Sequence, residues 1–372
     1  MILVTGGCGF IGAHFVLDWL HERDEALVNL DALTYAARPQ ALAALRDDPR
    51  YVFVHGDVRD RALVDALLAR YRPRAIVHLA AETHVDRAIV DADAFAQSNT
   101  LGTLVLLHAV RAHATTLPAG EAASFRFLHC STDEVFGALG PDDPPCDEQA
   151  PYRPRNPYAA SKAAADHFIA AFHVTHGVPT LVTRGSNTYG PGQHHEKLVT
   201  LAIERILAGE PVPIYGDGLA TRDWLYVGDH VAALRAVLER GVPGQSYNVA
   251  GHQCLTNLEL VEHIVAAVDL ETRFRAAHRA GGRPATATVA APAEAPVPMH
   301  EPDRWIRFVA DRPGHDRRYA MDDRKLRVET GWTPQVSLDE GLRATVRAAL
   351  DGAAVSGAGR SRRRQAAAAK HP

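Results

Sequence analysis

The stretch that most restricts the fold lies at the start of the chain, where Ile2-Leu3-Val4-Thr5 runs into Gly6-Gly7-Cys8-Gly9-Phe10-Ile11-Gly12. The apolar run reads as a short buried strand, and the glycines permit a turn too tight for side chains before an amphipathic helix to about Glu22. Ala26 to Asp31 reads as the next strand. Two spacings are legible: Gly7, Gly9 and Gly12 fit G-x-G-x-x-G, and Gly6, Gly9 and Gly12 fit G-x-x-G-x-x-G. Either lets a pyrophosphate approach backbone N–H groups at a helix N-terminus. A glycine turn alone needs no ligand. Strand, loop, helix and a strand ending in an acid, Asp31, is however the arrangement that binds the ribose hydroxyls of a dinucleotide. The acid favours NAD over NADP, since its charge repels a 2′-phosphate.

The same pattern repeats along the first half. Tyr51 to Val54 and Ala75 to Leu79 read as strands, with Arg61 to Arg70 and Ala92 to Ala112 as crossover helices. Asp57, after the third strand, is placed to accept from an adenine amine. Ala80 and Ala81, after the fourth, leave room for a cofactor or for helix packing. The run Phe125 to Cys130 then delivers Ser131-Thr132-Asp133-Glu134-Val135-Phe136-Gly137 to a strand's carboxyl end. Successive strand residues point to opposite faces, so Asp133 and Glu134 reach one ligand only if the chain leaves the strand there. Gly137 supports such a turn. Beyond a Pro-rich loop, Pro141 to Pro157, Tyr158 and Lys162 stand four apart on a helix and share a face. A phenol with a pKa of about 10 is a poor base near neutrality, and an ammonium with a cationic nicotinamide would stabilise its phenolate.

A chain of 372 residues has room for one large core or two domains sharing a cleft. Its formal charge of -4 is too small to recruit nucleic acid or an anionic membrane. Cys8, Cys130, Cys146 and Cys254 form no C-x-x-C pair, which suits a reducing compartment. No apolar segment approaches membrane length and Met1 runs directly into the first strand, so a cytoplasmic protein without membrane or nucleic-acid partners is expected. His194 and His195 invite a metal, but no third ligand is evident in the sequence, and none is expected to bind.

Longer motifs give these residues a context. They are T-G-G-C-G-F-I-G at 5 to 12, D-A-L-T-Y-A at 31 to 36, H-L-A-A-E-T-H-V-D-R at 78 to 87, S-T-D-E-V-F-G at 131 to 137 and Y-A-A-S-K at 158 to 162. Further on come R-G-S-N-T-Y-G-P at 184 to 191, E-K-L at 196 to 198, R-D-W-L-Y-V at 222 to 227 and D-R-P-G-H-D-R-R-Y at 311 to 319. With them the chain resembles the extended short-chain dehydrogenase/reductase family, in its nucleotide-sugar 4,6-dehydratase branch. The resemblance implies an α/β fold: a Rossmann doubly wound parallel sheet with a smaller mixed α/β substrate-binding lobe. The NAD-binding domain is expected over 1–183 and the lobe mainly over 184–350. An Ala/Pro-rich insertion, about 275–302, is expected to be a flexible loop, and a tail over 351–372 to be disordered.

The resemblance also assigns roles. Thr132, Asp133, Glu134, Tyr158 and Lys162 are the implied catalytic set, with Glu134 the base and Asp133 the acid in a loss of water across C5 and C6. NAD is the implied cofactor, held by Gly6, Gly9, Phe10, Ile11, Gly12, Asp31, Leu33, Thr34, Asp57, Val58, Leu79, Ala80, Ala81 and Thr83 along with Tyr158 and Lys162. The nucleotide-sugar substrate would meet Thr83, Thr132, Asn187, Lys197, Leu198, Tyr215, Arg222, Asn248, Arg312 and His315. A homodimer packed through helices such as those at 92–112 and 158–175 is implied too. The chain departs from the branch at Phe136, where Tyr is usual, at His194-His195, where Phe-Pro is common, and at Thr188, where Asn is frequent. The expected reaction is conversion of dTDP-glucose to its 4-keto-6-deoxy product. The alternatives are a 4,6- or 5,6-dehydratase or an epimerase of another nucleotide sugar such as a UDP-sugar, and, in another class, a non-catalytic NAD-binding sensor or scaffold.

Overall fold

A computed structural model describes residues 1–279 and 302–352. Its strands are β1 (Ile2–Thr5), β2 (Leu27–Asp31), β3 (Tyr51–His55), β4 (Ala75–His78), β5 (Arg126–Thr132), β6 (Thr180–Gly185), β7 (Asn187–Tyr189), β8 (Val212–Tyr215), β9 (Thr221–Tyr226), β10 (Ser246–Val249), β11 (Cys254–Thr256) and β12 (Ile306–Val309). Seven form one sheet in the order β10-β6-β5-β4-β1-β2-β3, and every pairing in it is parallel. The order reverses between β1 and β4, which opens a ligand crevice beyond their carboxyl ends.

Alternation along the strands builds a core on each face. Ile2, Val4, Ala75, Val77 and Leu128 join one apolar cluster with Phe15, Val16 and Trp19 of helix Phe10–Glu22 and Leu234 of helix Val227–Arg240. Leu3, Ile76 and Phe127 join another with Leu106 and Val110 of helix Gly102–Ala114 and Ile169 and Phe172 of helix Pro157–His176. A fully buried side chain of this kind contributes roughly 1.5–3 kcal/mol. The strands are buried on both faces because helices cover both, which is why they read as continuous apolar runs.

The chain divides into two compact units. The first is Met1–Thr188, Leu219–Leu255 and Asp311–Gln335. The second, among the described residues, is Tyr189–Gly218, 256–279, 302–310 and 336–352. It carries the parallel pair β8 and β12 and the packed helices Leu198–Ala208 and Asn257–Arg279. A single boundary after residue 183 therefore gives way to an interleaved division. The physical reason is β10, which returns from beyond residue 183 to pair with β6 and covers a sheet edge that would otherwise leave backbone groups unpaired.

The segment expected as a flexible loop from 275 begins instead as helix, since Asn257–Arg279 continues through its first residues. Residues 280–301 and the tail from 353 lie outside the described residues. Among the described residues no helix is long and apolar enough to cross a membrane.

Candidate active site

The glycine loop is shaped by close approach. Gly6 has φ +74, and a Cβ there would meet the Ala80 nitrogen at 2.5 Å; one at Gly12 would meet the Gly6 carbonyl oxygen at 2.1 Å. The loop is tied down from beneath. The Gly7 amide donates to Asn29 Oδ1 at 3.0 Å, and the Cys8 amide to Asp31 Oδ2 at 2.8 Å. Asp31 Oδ1 accepts from the Leu33 amide at 2.8 Å, so both carboxylate oxygens are fixed while each keeps a lone pair.

A cleft runs over this loop. Its walls include Gly6, Gly9, Asp31, Thr34, Asp57, Val58, Leu79, Ala80 and Ala81 from the expected set. Phe10 and Ile11 form the first turn of the helix behind Gly9, and Leu33 sits at φ 53 in the loop after β2. Arg59, Glu82 and Ser98 also line the cleft and were missed. Arg59 is legible only in hindsight: it clamps the Asp57 carboxylate through Nε and Nη2 at 3.0 and 2.6 Å. A glycine loop open to a pyrophosphate and a fixed carboxylate lining the same cleft fit an NAD-type dinucleotide.

At the end of β5 the chain turns into a single 3-10 turn, Asp133–Phe136, closed by Gly137 at φ 77. That turn releases Asp133 and Glu134 from strand geometry. Thr132 caps it, its hydroxyl accepting from the Glu134 amide at 3.3 Å and donating to Asp133 Oδ1 at 3.1 Å. Asp133 is 4% exposed, and its Oδ2 is buried without a hydrogen-bond partner. Burial first, and then the neighbouring Glu134, push its pKa up to about 8 against the opposing charge of Arg222. It is an acid that keeps its proton near neutrality. Glu134 is half-buried, and its Oε2 accepts from Asn156 Nδ2 at 2.9 Å. Asn156 also caps helix Pro157–His176 through the Ala159 amide, a position the Asn-Pro pair marks in sequence.

Tyr158 and Lys162 lie on the first turns of that helix, both buried. Burial first, and then the nearby Glu134 charge, hold the Tyr158 phenol well above its ordinary pKa. That is the phenol in the cofactor-free protein; the expected phenolate also draws on the positive charge of a bound nicotinamide. Lys162 spends its ammonium elsewhere, on the Cys130 carbonyl at 2.7 Å and on His129 Nε2 at 3.1 Å. His129 is wholly buried and its pKa is held well below 6.5, first by burial and then by Lys162, so it meets the ammonium as a neutral acceptor. No sequence signal marked it, because a histidine inside an apolar strand reads as core.

Other predicted residues fall into three groups. Arg222 is not a surface cation: it is 4% exposed, donates to the carbonyls of Asp316 and Thr221 at 2.8 Å each, and stacks over Tyr319 at 4.4 Å. Arg312 lies 3.8 Å from Asp86, which brings the 311–315 loop beside the segment that holds exposed Thr83. In that loop the His315 ring bonds Asp311 at 2.7 Å. Asn187 opens β7, half-buried. Lys197, Leu198 and Tyr215 belong to the second unit, the first two at the start of a helix and Tyr215 at the exposed end of β8. Asn248 has a structural part as well. It is fully buried in β10 and its amide donates to the carbonyls of Cys146 and Asp322 at 2.9 and 3.2 Å, so it braces two loops, while its Oδ1 is buried without a partner.

The departures have structural accounts. Phe136 fills a buried cluster with Val135, Ala163, Ala250 and Met321, under the Arg184 guanidinium. The Thr188 hydroxyl bonds His230 Nδ1 at 2.7 Å. The third ligand that His194 and His195 lacked in sequence is Glu196 itself: the three side chains converge within 4.8 Å on one turn. There His194 Nδ1 and Glu196 already pair at 3.5 Å.

Comparison with known proteins agrees with this geometry. Residues 3–345 match the family of GDP-mannose 4,6 dehydratase. The dTDP-glucose 4,6-dehydratase of Xanthomonas campestris pv. campestris (strain B100) is 47% identical over 344 residues, which are 92% of this chain and 91% of the relative. Among solved structures, the dTDP-glucose 4,6-dehydratase DesIV of Streptomyces venezuelae, crystallised with NAD bound, superposes with a TM-score of 0.78 at 38% identity, covering 94% of this chain and 97% of its own. A UDP-glucose 4-epimerase of Thermotoga maritima superposes almost as well, at 0.76, but at 26% identity, covering 94% of this chain and 99% of its own. The backbone is thus shared across chemistries, and it is the identity, 38% against 26%, that sets the chain nearer the dehydratase. The chain belongs to the GDP-mannose 4,6 dehydratase family, among its dTDP-glucose 4,6-dehydratase relatives.

Proposed function

We propose that this chain is an NAD-dependent nucleotide-sugar 4,6-dehydratase that converts dTDP-glucose to dTDP-4-keto-6-deoxyglucose. The observation that carries the reading is Asp133: a buried carboxyl kept protonated up to about pH 8, next to a carboxylate, on the turn that ends β5. Water loss from a 4-ketohexose needs an acid and a base side by side, and this pair differs in environment in the required sense.

The steps follow from the residues. NAD, which the glycine loop and Asp31 would hold, would supply a reversible hydride acceptor for C4 and C6. Tyr158 takes the 4-hydroxyl proton, with Thr132 bonded to the same oxygen and Lys162 fixing the ribose side of the site. Formation of the ketone acidifies C5–H, which Glu134 removes. Asp133 protonates the departing C6 hydroxyl through its free Oδ2. Arg222 and Arg312 are the cations suited to the diphosphate, and Lys197, Leu198 and Tyr215 are assigned to the nucleotide. The working form is a homodimer in the cytoplasm.

The test is mass spectrometry of purified protein incubated separately with dTDP-glucose, UDP-glucose and UDP-N-acetylglucosamine. Loss of one water from dTDP-glucose alone is expected. Loss from a UDP-sugar alone would change the substrate, and no loss from any of them would remove the dehydratase assignment.

A further inference from the structure

Two groups take protons in the reaction proposed above, and they act on neighbouring carbons. Tyr158 serves the oxygen on C4 and Glu134 the hydrogen on C5, yet Tyr158 stands on helix Pro157–His176 and Glu134 on the turn after β5. A glutamate has several rotatable bonds, and Glu134 is only half-buried, so packing alone leaves its carboxylate free to wander.

The segment before the helix supplies the restraint. The Arg153 amide donates to the Val135 carbonyl at 3.0 Å, and a side chain at Gly137 would strike the Arg153 carbonyl oxygen, so this segment lies directly on the turn. Pro157 then restricts the residue before it to extended backbone. Asn156 accordingly has φ -135 and ψ 159, the conformation an N-cap needs. The cap in turn orients the side-chain amide. Only its oxygen can accept from the Ala159 N–H, at 2.8 Å, which leaves the NH2 end to donate to Glu134 Oε2 at 2.9 Å. Asn156 is 6% exposed, so little water competes for either bond.

Resting on the dehydratase reading, we infer that Asn156 is the positioning residue of the base: it ties the Glu134 carboxylate to the start of the helix that carries Tyr158. The two proton acceptors are thereby held in register with C4 and C5 of one sugar. When C4 has become a ketone, the C5–H bond breaks, its proton passes to Glu134 and its electron pair enters the enolate. Asn156 gives up no proton in that step. Aspartate caps a helix as well as asparagine does, but it has no N–H to give a carboxylate. The second bond is therefore what the asparagine adds.

The experiment compares wild type, N156D and N156A as NAD-containing proteins with dTDP-glucose. Bound NADH is followed by absorbance, water loss by mass spectrometry, and both are repeated with substrate deuterated at C5. N156D keeps the shape and the cap and should melt close to wild type, whereas N156A loses the cap and should melt lower. Dehydration should run in the opposite order. N156D, which sets carboxylate against carboxylate, should slow water loss about 10²-fold, and N156A about 10-fold. In both, bound NADH should accumulate and the C5 isotope effect should exceed that of wild type, because removal of the C5 proton has become the slow step. The inference is overturned if N156D dehydrates as fast as wild type, or if the loss of activity follows the melting order, with N156A the more impaired. It is overturned too if both variants slow with unchanged NADH level and isotope effect, which would make Asn156 a structural cap alone. Wild-type protein that dehydrates no nucleotide sugar would be a different result, removing the dehydratase reading and the inference with it.

Discussion

The proposed chemistry rests on two adjacent carboxyls made unequal by their surroundings. Asp133 is sealed in with one hydrogen bond, while Glu134 is half-buried and bonded by Asn156. Replacing them with Asn and Gln together should lower water loss by at least about 10²–10⁴-fold while C4 oxidation persists, so NADH should accumulate on the protein. Unchanged dehydration in that double variant would remove both from the reaction. The pH dependence has a definite sign. Asp133 must be protonated to act, so turnover should hold below about pH 8 and fall as pH rises through it, with bound NADH increasing over the same range. Stability is linked to the same group. The carboxyl binds its proton more tightly in the folded chain than at the ordinary 3.8, so its contribution is fully present below about 3.8 and is lost as pH rises towards 8. Chemical denaturation of D133N across that window should show a shallower loss than wild type.

At the scale of elements, the decisive features are ends of strands and starts of helices. Helix Phe10–Glu22 begins directly behind the glycine loop, and a helix N-terminus there favours an anion. Gly6 is the position with no tolerance, because its φ of +74 and the 2.5 Å approach to the Ala80 nitrogen both exclude a side chain. Gly6→Ala should cost roughly 1–3 kcal/mol of stability from backbone strain, read as a lowered denaturation midpoint. It should weaken NAD binding by more than that loss accounts for, since it also displaces the cleft wall at Ala80. Equal NAD affinity in the variant would mean that the loop does not contact the cofactor.

The chain interleaves two units, and the first holds all five residues of the proposed catalytic set. NAD that ends each turnover in its starting form has no reason to leave, so protein purified without added cofactor should release NAD on heating. Saturation should also raise stability, by about 2.7 kcal/mol at 100 times the dissociation constant, visible as a higher melting temperature. Sedimentation equilibrium of the 40.3 kDa chain should give twice that mass, and a concentration-independent monomer would reject the homodimer.

The sequence by itself determined the repeating parallel sheet, the glycine loop with Asp31 and the placement of Thr132-Asp133-Glu134 and Tyr158-x-x-x-Lys162 on turn and helix. Each of these is written in local periodicity or in glycine, which the chain cannot hide. Only the tertiary structure decided that β10 returns to cap the large sheet, that Asn248 is a brace, that Arg222 is buried among carbonyls, and that His129 takes the Lys162 ammonium. It also decided the protonation of the site. Whether Asp133 keeps its proton, and whether Tyr158 loses one, depends on burial and on charges contributed by segments far apart in the chain. Desolvation is a property of what surrounds a group in space, and no spacing of residues along a sequence records it.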